Sequence, residues 1–396
     1  MKIIQSTIPF PIHHYTFAQP IEQIAFFDIE TTGLSPKASS LYLIGAMHYD
    51  TRQEQWCLTQ WFADDYHSEK EILTSFFEYL KPFHALYHFN GATFDIPYVT
   101  TKCQKHQLAV PEYARQLFRN TAHHQTVPGQ ERISVDLLKE IRPLKKTLRL
   151  VKANQTALEH WLGVNREDTY HGGELISVYT EYMQSKILRP EDASSLEKLL
   201  LLHNHDDIAG MLEVCSFLSY RDCLSLQKPP VIQSCSQKTD SITIQFTLPQ
   251  PVPRPVQISH LWDINSSAIS EQPAVLSLTE TVGKLTLPVI QDTLKYFFEQ
   301  YRDYFYLPEE DHAIHKSVAQ FVDPAFRKKA TAATCYTKKE GCFMPSCSKK
   351  GTAWDEPLLY SDYKSKQGFY EVHNQDNDTL AKQLSHYLFY ELPYFL

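Results

Sequence analysis

The chain has 396 residues, more than one hydrophobic core usually organises, and its 43% hydrophobic and 21% charged residues are typical of a globular protein with two domains. A formal net charge of −8 argues against a nucleic-acid partner, but only weakly, because a local basic patch or bound divalent cations would change the local field. The sequence has no apolar run of the roughly 20 residues that would span a bilayer, no signal-peptide-like start and no paired cysteines. We therefore expect a cytoplasmic protein without membrane contact rather than a disulfide-stapled secreted one.

The first predicted strand carries two acids. The apolar, aromatic run at residues 24–30 (IAFFDIE) predicts a buried strand that ends at a Thr-Thr-Gly turn. Because side chains alternate faces along a strand, Asp28 and Glu30 point the same way. Two acids on one face of a buried strand repel each other unless a cation lies between them or water solvates them. The pair therefore predicts either a cation site or two solvated acids at a frayed strand end.

The next elements continue an antiparallel meander and then change to a helix. Residues 41–50 and 53–62 are predicted strands. Ser68 and Glu71 have the spacing of a capping box, which predicts the start of an amphipathic helix over residues 69–80.

A further strand and helix place a third acid. Residues 84–90 are a predicted strand, Gly91 marks the turn after it, and residues from about 94 to 107 are a predicted helix. Asp95 lies in the first turn of this helix, where the helix dipole favours an acid. Asp95 is therefore either a helix-start residue or a member of the same acidic site, and Asn90 is either a turn residue or a part of that site.

The following region is predominantly helical. Residues 133–141 predict a strand passing into a helix, residues 156–163 a short helix ending at a glycine, and residues 172–183 and 193–220 two longer helices. This order of elements predicts an α/β fold with a mixed sheet flanked by helices.

A fourth acid lies on the last of these helices. On a helix over residues 193–220, Asp207 shares an otherwise apolar stripe with His203 and Met211, whereas Asp206 faces a wetter side. His203 precedes Asp207 by one helical turn. The two residues are either a buried pair within the helix or further members of the acidic site.

The composition changes near residue 225. Proline-rich and polar stretches there predict a boundary between a domain of residues 1–225 and an accessory domain of residues 226–396. The second domain is predicted to be smaller and β-rich, of the α+β class, with a helix over residues 292–307. Its predicted strands are residues 241–248, 256–264, 274–280 and 284–290.

A basic segment lies near the end of the chain. Residues 326–350 contain seven Lys or Arg against one acid, interleaved with aromatic residues. Such a segment can follow a phosphate backbone and stack on bases, and Lys338 and Lys339 are its predicted nucleic-acid contacts. A solvated basic loop is the alternative interpretation.

Three motifs, in order along the chain, resemble those of the DEDD exonucleases of the ribonuclease-H-like superfamily. They are D-I-E-T-T-G at residues 28–33, N-x-x-x-F-D at residues 90–95 and H-N-x-x-D at residues 203–207. The intervening sequence is similar to the bacterial YprB-like group of predicted exonucleases, and the resemblance covers about residues 20–220. It implies a ribonuclease-H-like fold and a 3′→5′ exonuclease that releases nucleoside 5′-monophosphates from single-stranded or frayed DNA or RNA.

The resemblance also implies a two-metal site. Asp28, Glu30, Asp95 and Asp207 would hold two divalent cations, Mg²⁺ or Mn²⁺, which prefer carboxylate oxygen. Asp28 would bridge both ions, Glu30 and Asp207 would share the ion on the nucleophile side, and Asp95 would serve the leaving-group side. His203 would act as general base or as a partner of a metal ligand. This sequence departs from the family here, because its His precedes the Asp by four residues, whereas the His branch uses five and the branch with four has Tyr.

Contacts with the 3′ end of the substrate are implied as well. The turn after the first motif would offer backbone N–H groups and hydroxyls, and Leu34 would pack against a base. A strand-ending turn without a ligand is the alternative interpretation. The implied substrate-contacting residues are Thr31, Thr32, Gly33, Leu34, Asn90 and Phe94.

Two other functions stay open: a non-catalytic nucleic-acid-binding or scaffold protein, and a structure-specific endonuclease. The presence of all four acids favours an enzyme. The motifs G-x-G-x-x-G and G-x-S-x-G are absent from the sequence, which disfavours dinucleotide-binding and acyl-transfer enzymes. The expected partner is single-stranded or 3′-ended DNA or RNA, and no protein partner is evident.

Overall fold

A computed structural model describes the protein in two compact units, Met1–Arg221 and Asp222–Leu396. No helix in the described part of the chain is long and apolar enough to cross a bilayer. The ends of two predicted features, residues 262–264 and 349–350, lie outside the described residues. The described residues are 1–119, 132–168, 170, 172–261, 272–348, 354–373 and 376–395.

The first unit is built on a mixed sheet, ordered β1-β4-β3-β2-β5-β6. The pairs β2–β5 and β5–β6 are parallel and the others antiparallel. The mixed sheet confirms the prediction, although β1, an edge strand paired with β4, was not predicted from the sequence. The strands are β1 (Lys2–Ile8), β2 (Ile24–Thr31), β3 (Leu41–Asp50), β4 (Gln55–Phe62), β5 (Ala85–His88) and β6 (Ile133–Asp136).

Helices flank this sheet, as predicted. The apolar side chains of the first helix recur at helical spacing from Ile72 to Leu80 and are buried against β2, β3 and β4. The helices are α1 (Glu69–Leu80), α2 (Asp95–Lys105), α3 (Glu112–Phe118), α4 (Leu137–Ile141), α5 (Leu144–Thr147), α6 (Gln155–Leu162), α7 (Gly172–Leu188), α8 (Pro190–Val214) and α9 (Leu218–Leu224).

The predicted capping box at the start of α1 is wrong. Ser68 has helical backbone angles, φ −72° and ψ −10°, and its side chain does not cap the helix. A capping side chain needs the extended conformation to reach back to the helix N–H groups. The Ser68 hydroxyl instead donates a hydrogen bond to Asp65 Oδ1 at 2.9 Å, and Asp65 also accepts the backbone N–H groups of His67 and Ser68.

The second unit is rich in antiparallel strands, which confirms the predicted α+β character of this region. One sheet has the order β7-β8-β11-β10-β9, and two three-stranded sheets have the orders β12-β16-β17 and β14-β13-β15. The elements are β7 (Ile232–Gln237), β8 (Ser241–Thr247), β9 (Val256–His260), β10 (Ala274–Thr279), β11 (Val282–Pro288), β12 (Ile290–Phe297), β13 (Tyr304–Leu307), β14 (His312–His315), α10 (Lys316–Ala319), β15 (Lys328–Lys329), β16 (Tyr336–Pro345), β17 (Phe369–Glu371) and α11 (Asn377–Glu391).

The helix predicted over residues 292–307 is wrong. This stretch contains most of β12 and the whole of β13, with a short 3₁₀ turn, Tyr301–Asp303, before β13. Aromatic residues dominate the stretch, and they favour the pleated, half-buried surface of a sheet. The pairing of β12 with β16 over eight residue pairs supplies the long-range partner that the local sequence could not show.

Candidate functional site

The end of β2 places two acids against α8. Asp28 Oδ2 accepts a hydrogen bond of 3.1 Å from the side chain of Asn204, and Glu30 Oε1 lies 3.7 Å from His203 Nε2. Ile29, between the two acids, is buried in the core. The predicted alternation therefore holds, because both acids face the helix that carries the third motif.

A glycine on β3 allows α8 to approach this closely. Gly45 pairs with Asp28 across the sheet. A Cβ atom on Gly45 would lie 2.1 Å from Asn204 Oδ1 and 2.4 Å from Ile208 Cδ1, well inside van der Waals contact. The missing side chain lets Asn204 reach Asp28, and it sets His203 beside the end of β2.

Asp95 joins the same group from the start of α2. Its Oδ1 accepts a hydrogen bond of 3.3 Å from the backbone N–H of Ile29, and the residue is buried. The turn before α2 has Asn90 at φ 61°, a left-handed conformation that Asn tolerates better than most residues. The side chain of Asn90 accepts a hydrogen bond from Thr93, and its backbone N–H donates to Asp136. Asn90 therefore shapes the turn that brings Asp95 to β2.

The burial of these acids changes their protonation. Loss of solvation, together with the nearby negative charges, raises the pKa of Asp28 and of Glu30 well above the usual range. Burial also raises the pKa of Asp95 to about 7, against the opposing hydrogen bond from Ile29 N–H. A group of this kind is stabilised by bound protons or by bound cations.

His203 lies among three carboxylates. Its Nδ1 is 2.6 Å from Asp168 Oδ2, and its Nε2 is 3.3 Å from Asp207 Oδ2. Glu30, His203 and Asp207 each offer one ligand atom, and these atoms all lie within 4.8 Å of one another. This donor set fits a divalent cation.

Two further residues of the site were not predicted from the sequence. Arg166 and Asp168 lie between α6 and α7, and Arg166 Nη1 donates to Asp207 Oδ1 at 2.5 Å. The guanidinium of Arg166 also pairs with both oxygens of Glu159, whose side chain is 1% exposed. No local pattern marks these residues, because their contacts with α8 are made across more than 30 residues of sequence.

The prediction that Asp206 faces the wetter side of α8 is wrong. Its side chain is 10% exposed, against 22% for Asp207. Asp206 Oδ2 accepts hydrogen bonds of 3.0 and 2.9 Å from the backbone N–H groups of Glu167 and Asp168. The segment that carries Arg166 covers this side of the helix, which the helical pattern alone could not show.

Three of the acids lie in the wall of a cleft of about 710 Å³. Asp28, Asp95 and Asp207 line it, together with the predicted substrate contacts Asn90 and Phe94. Two basic side chains that were not predicted as site residues, Arg142 and Lys145, line the same cleft.

The turn after β2 is held mainly by its own hydrogen bonds. Thr31 Oγ1 donates to the carbonyl of Gly33 at 3.0 Å, and Thr32 Oγ1 accepts the backbone N–H of Ser40 at 2.8 Å. Leu34 is 86% exposed. The two threonine hydroxyls serve the turn, whereas the Leu34 side chain is open to a ligand.

The two lysines predicted as substrate contacts belong to the second unit. Lys338 Nζ pairs with Asp311 Oδ2 and Lys339 Nζ with Glu371 Oε2, each at 2.5 Å. Their role in binding stays a prediction, and each charge already has an acidic partner.

Asp95→Asn will stabilise the metal-free protein at pH 8. The raised pKa means that the folded state binds the Asp95 proton more tightly than the unfolded state does. The contribution of this proton to the free energy of unfolding is complete below about pH 4. It is lost as the pH rises through about 7, the pKa of Asp95 in the folded state. Asparagine does not ionise, so the variant does not lose this contribution. We expect its free energy of unfolding to exceed that of the natural chain by up to about 4 kcal/mol at pH 8 and to differ little at pH 4. Urea unfolding in chelator at both pH values measures it, and a variant less stable than the natural chain at pH 8 would contradict the expectation.

Comparison with known proteins supports this fold. Residues 25–219 match the family model described as the RNase_H superfamily. Together with the mixed sheet and its flanking helices, this match confirms the predicted ribonuclease-H-like fold of the first unit. No curated protein matches the chain.

Two solved structures show weak similarity. The family B DNA polymerase from the hyperthermophilic archaeon Pyrobaculum calidifontis matches with a TM-score of 0.36 and 14% identity, over 73% of this chain and 36% of the polymerase. The zinc-ion-bound form of the E. coli ExoI–ssDNA complex matches with a TM-score of 0.27 and 14% identity, over 44% of this chain and 42% of that one. The chain spans less than half the length of either protein.

Proposed function

We propose that the first unit is a metal-dependent 3′→5′ exonuclease of the DEDD type, close to the YprB-like group. It would hydrolyse phosphodiester bonds of single-stranded or frayed DNA or RNA and release nucleoside 5′-monophosphates. The observation that carries this proposal is the meeting of four carboxylates from three distant segments, β2, the start of α2 and α8. Asp28, Asp95 and Asp207 line one cleft, and Glu30 lies beside Asp207. The ribonuclease-H-like fold supports it.

The donor set suits hard divalent cations. Asp28, Glu30, Asp95 and Asp207 would hold two Mg²⁺ or Mn²⁺ ions, because buried carboxylates with raised pKa values lose their mutual repulsion when a cation binds. Such ions, when bound, supply an acidified water and stabilise the charge on a leaving oxygen.

The chain's own residues orient these acids. Asn204 holds one oxygen of Asp28, and Arg166 holds one oxygen of Asp207. The pairing of Asp168 with Nδ1 of His203 turns Nε2 towards Glu30 and Asp207. From this position His203 can accept a proton from an attacking water or can support a metal ligand.

A basic segment beside the acids favours a polyanionic substrate. Between Arg142 and Lys152 the sequence holds five basic residues and no acid, and all five basic side chains are exposed. None of the five forms an ion pair with a described residue. Two of them, Arg142 and Lys145, reach the cleft itself. Phosphate groups are the anions that such an array attracts, and the exposed Leu34 offers an apolar contact for a terminal base.

The second unit, residues 226–396 in the predicted division, is proposed to bind nucleic acid as an accessory domain. Phe321 and Phe326 are 83% and 53% exposed, and Lys328 and Lys329 of β15 are exposed next to them in sequence. Exposed aromatic rings with neighbouring cations are typical of surfaces on which bases stack.

Degradation of a 5′-labelled single-stranded oligonucleotide tests the enzyme, with DNA and RNA in parallel. In Mn²⁺ we expect a ladder that shortens from the 3′ end, and in chelator no cleavage. The direction follows from the implied contacts of the turn after β2 with a free 3′ end.

A circular single-stranded substrate separates the alternatives. An exonuclease leaves the circle intact, whereas a structure-specific endonuclease opens it. Binding of the linear oligonucleotide without cleavage in Mn²⁺ would favour the non-catalytic binding protein.

A further inference from the structure

We infer that His203 is a direct nitrogen ligand of the bound metal, positioned by Asp168, so that this site prefers transition-metal divalent ions to Mg²⁺. The inference rests on the proposed metal-dependent function and concerns the composition of its site. It assigns Asp168 a positioning role and gives His203 a task different from that of a general base.

The hydrogen bond between Asp168 and His203 fixes which nitrogen faces the acids. Asp168 Oδ2 lies 2.6 Å from Nδ1, and the two side chains are 1% and 7% exposed. A buried carboxylate at this distance accepts a hydrogen bond from Nδ1–H, which leaves the lone pair of Nε2 to project towards Glu30 and Asp207. A carboxylate behind a histidine is the usual support of a metal-binding imidazole, because it fixes the ring and raises its basicity.

The distances on the other side of the ring fit a shared ion. Nε2 is 3.3 Å from Asp207 Oδ2 and 3.7 Å from Glu30 Oε1. Charge-assisted hydrogen bonds are about 2.7–2.9 Å long, so Nε2 is not held tightly by either acid. Ligand atoms that share one ion at about 2.0–2.2 Å lie roughly 3.0–3.5 Å apart. The distance from Nε2 to Asp207 falls within this range, and the distance to Glu30 is slightly longer.

The spacing on α8 points the same way. His203 and Asp207 are four residues apart, which places both side chains on one face of the helix, one turn apart. Two ligands at this spacing can bind a single ion, as in the H-E-x-x-H helix of zinc proteases. Arg166 occupies Oδ1 of Asp207, and Oδ2 is thereby left facing His203.

A nitrogen ligand changes which metals the site prefers. Mg²⁺ binds almost entirely through oxygen, whereas imidazole suits the first-row transition metals. Among the residues that the structure describes, no other three His, Cys, Asp or Glu side chains place their ligand atoms within 4.8 Å of one another.

The test detects the nitrogen directly, on the full chain loaded with Mn²⁺ and without nucleic acid. Electron spin-echo envelope modulation will show coupling of the Mn²⁺ electron spin to ¹⁴N. When the protein is labelled with ¹⁵N-histidine, this ¹⁴N signal will be replaced by that of ¹⁵N. His203→Gln will abolish the coupling, and His205→Gln, its neighbour on α8, will retain it. Since the labelled natural chain already reports the nitrogen, the result does not depend on the folding of a variant.

Calorimetric titrations with Mn²⁺ and with Mg²⁺ test the positioning role. Asp168→Asn will weaken Mn²⁺ binding by about 10- to 100-fold and Mg²⁺ binding much less. Equal losses for both ions would overturn the role of Asp168. Absence of nitrogen coupling in the Mn²⁺-loaded natural chain would overturn the inference alone, whereas failure to bind any divalent ion would overturn the proposed function as well.

Discussion

Asp28→Asn will lower the rate of oligonucleotide cleavage by at least about 10³-fold without unfolding the protein, since the several kcal/mol of charge stabilisation that a metal supplies need a charged carboxylate. Asp28 lies on β2, which is flanked by β3 and β5, and it contacts Asn204. It is therefore the acid at the centre of the group. Asparagine has the same shape and can still accept the hydrogen bond from Asn204. It also removes one charge from a buried cluster of acids, so the metal-free variant keeps or gains stability.

Asp50→Asn is the matched control for this variant. Asp50 ends β3 on the same sheet and accepts the backbone N–H of Arg52 at 2.8 Å, a contact that asparagine reproduces. Single-turnover cleavage of the labelled oligonucleotide, with circular dichroism to establish folding, measures both variants. Activity of Asp28→Asn within a few-fold of that of Asp50→Asn would contradict the metal-site assignment.

Arg166→Met will destabilise the first unit by about 3–5 kcal/mol, because removal of one partner leaves an uncompensated buried charge. The charge in question belongs to Glu159, whose carboxylate then keeps, from side chains in the described ranges, only the hydrogen bond of Gln155. The methionine fills much of the same space. Asp207 loses its support in the same step, so cleavage will also fall.

Arg115→Met supplies the control, because it removes an ion pair that is exposed rather than buried. Arg115 and Glu112 lie on α3 with side chains 60% and 58% exposed, and an exposed pair contributes less than about 1 kcal/mol. Differential scanning calorimetry compares the two variants. A stability loss of about 3–5 kcal/mol lowers the Tm of a unit of this size by about 6 to 20 °C. Equal Tm values for the two variants would show that Glu159 does not depend on Arg166.

The acids of the site could be found from the sequence because each follows a local rule. Asp28 and Glu30 lie two residues apart on a strand, Asp95 begins a helix, and Asp207 follows His203 by one turn. Strand alternation and helical periodicity act over a few residues, and the structure brings these side chains to one place. Their catalytic roles stay predictions.

The supporting residues could not be found in this way. Arg166 and Asp168 lie in a connecting segment, and their positions depend on how that segment crosses α8, a tertiary contact that no periodic pattern encodes. The same cause explains the misplaced helix at residues 292–307, where pairing with β16 decides the conformation. Local rules identified the ligand candidates, and long-range packing determined what holds them.

The close approach of α8 to Gly45 has a consequence for the order of events during synthesis. A growing chain carries Asp28, Glu30 and Asp95 while more than 100 residues still separate it from Asp207. The acids of β2 and α2 therefore leave the ribosome without their partner helix, and the group is complete only when α8 docks on Gly45 near the end of the first unit. For the proposed nuclease, this order means that a nascent chain shorter than α8 lacks the complete set of acids, and the site forms only with the docking of α8, late in the folding of the first unit.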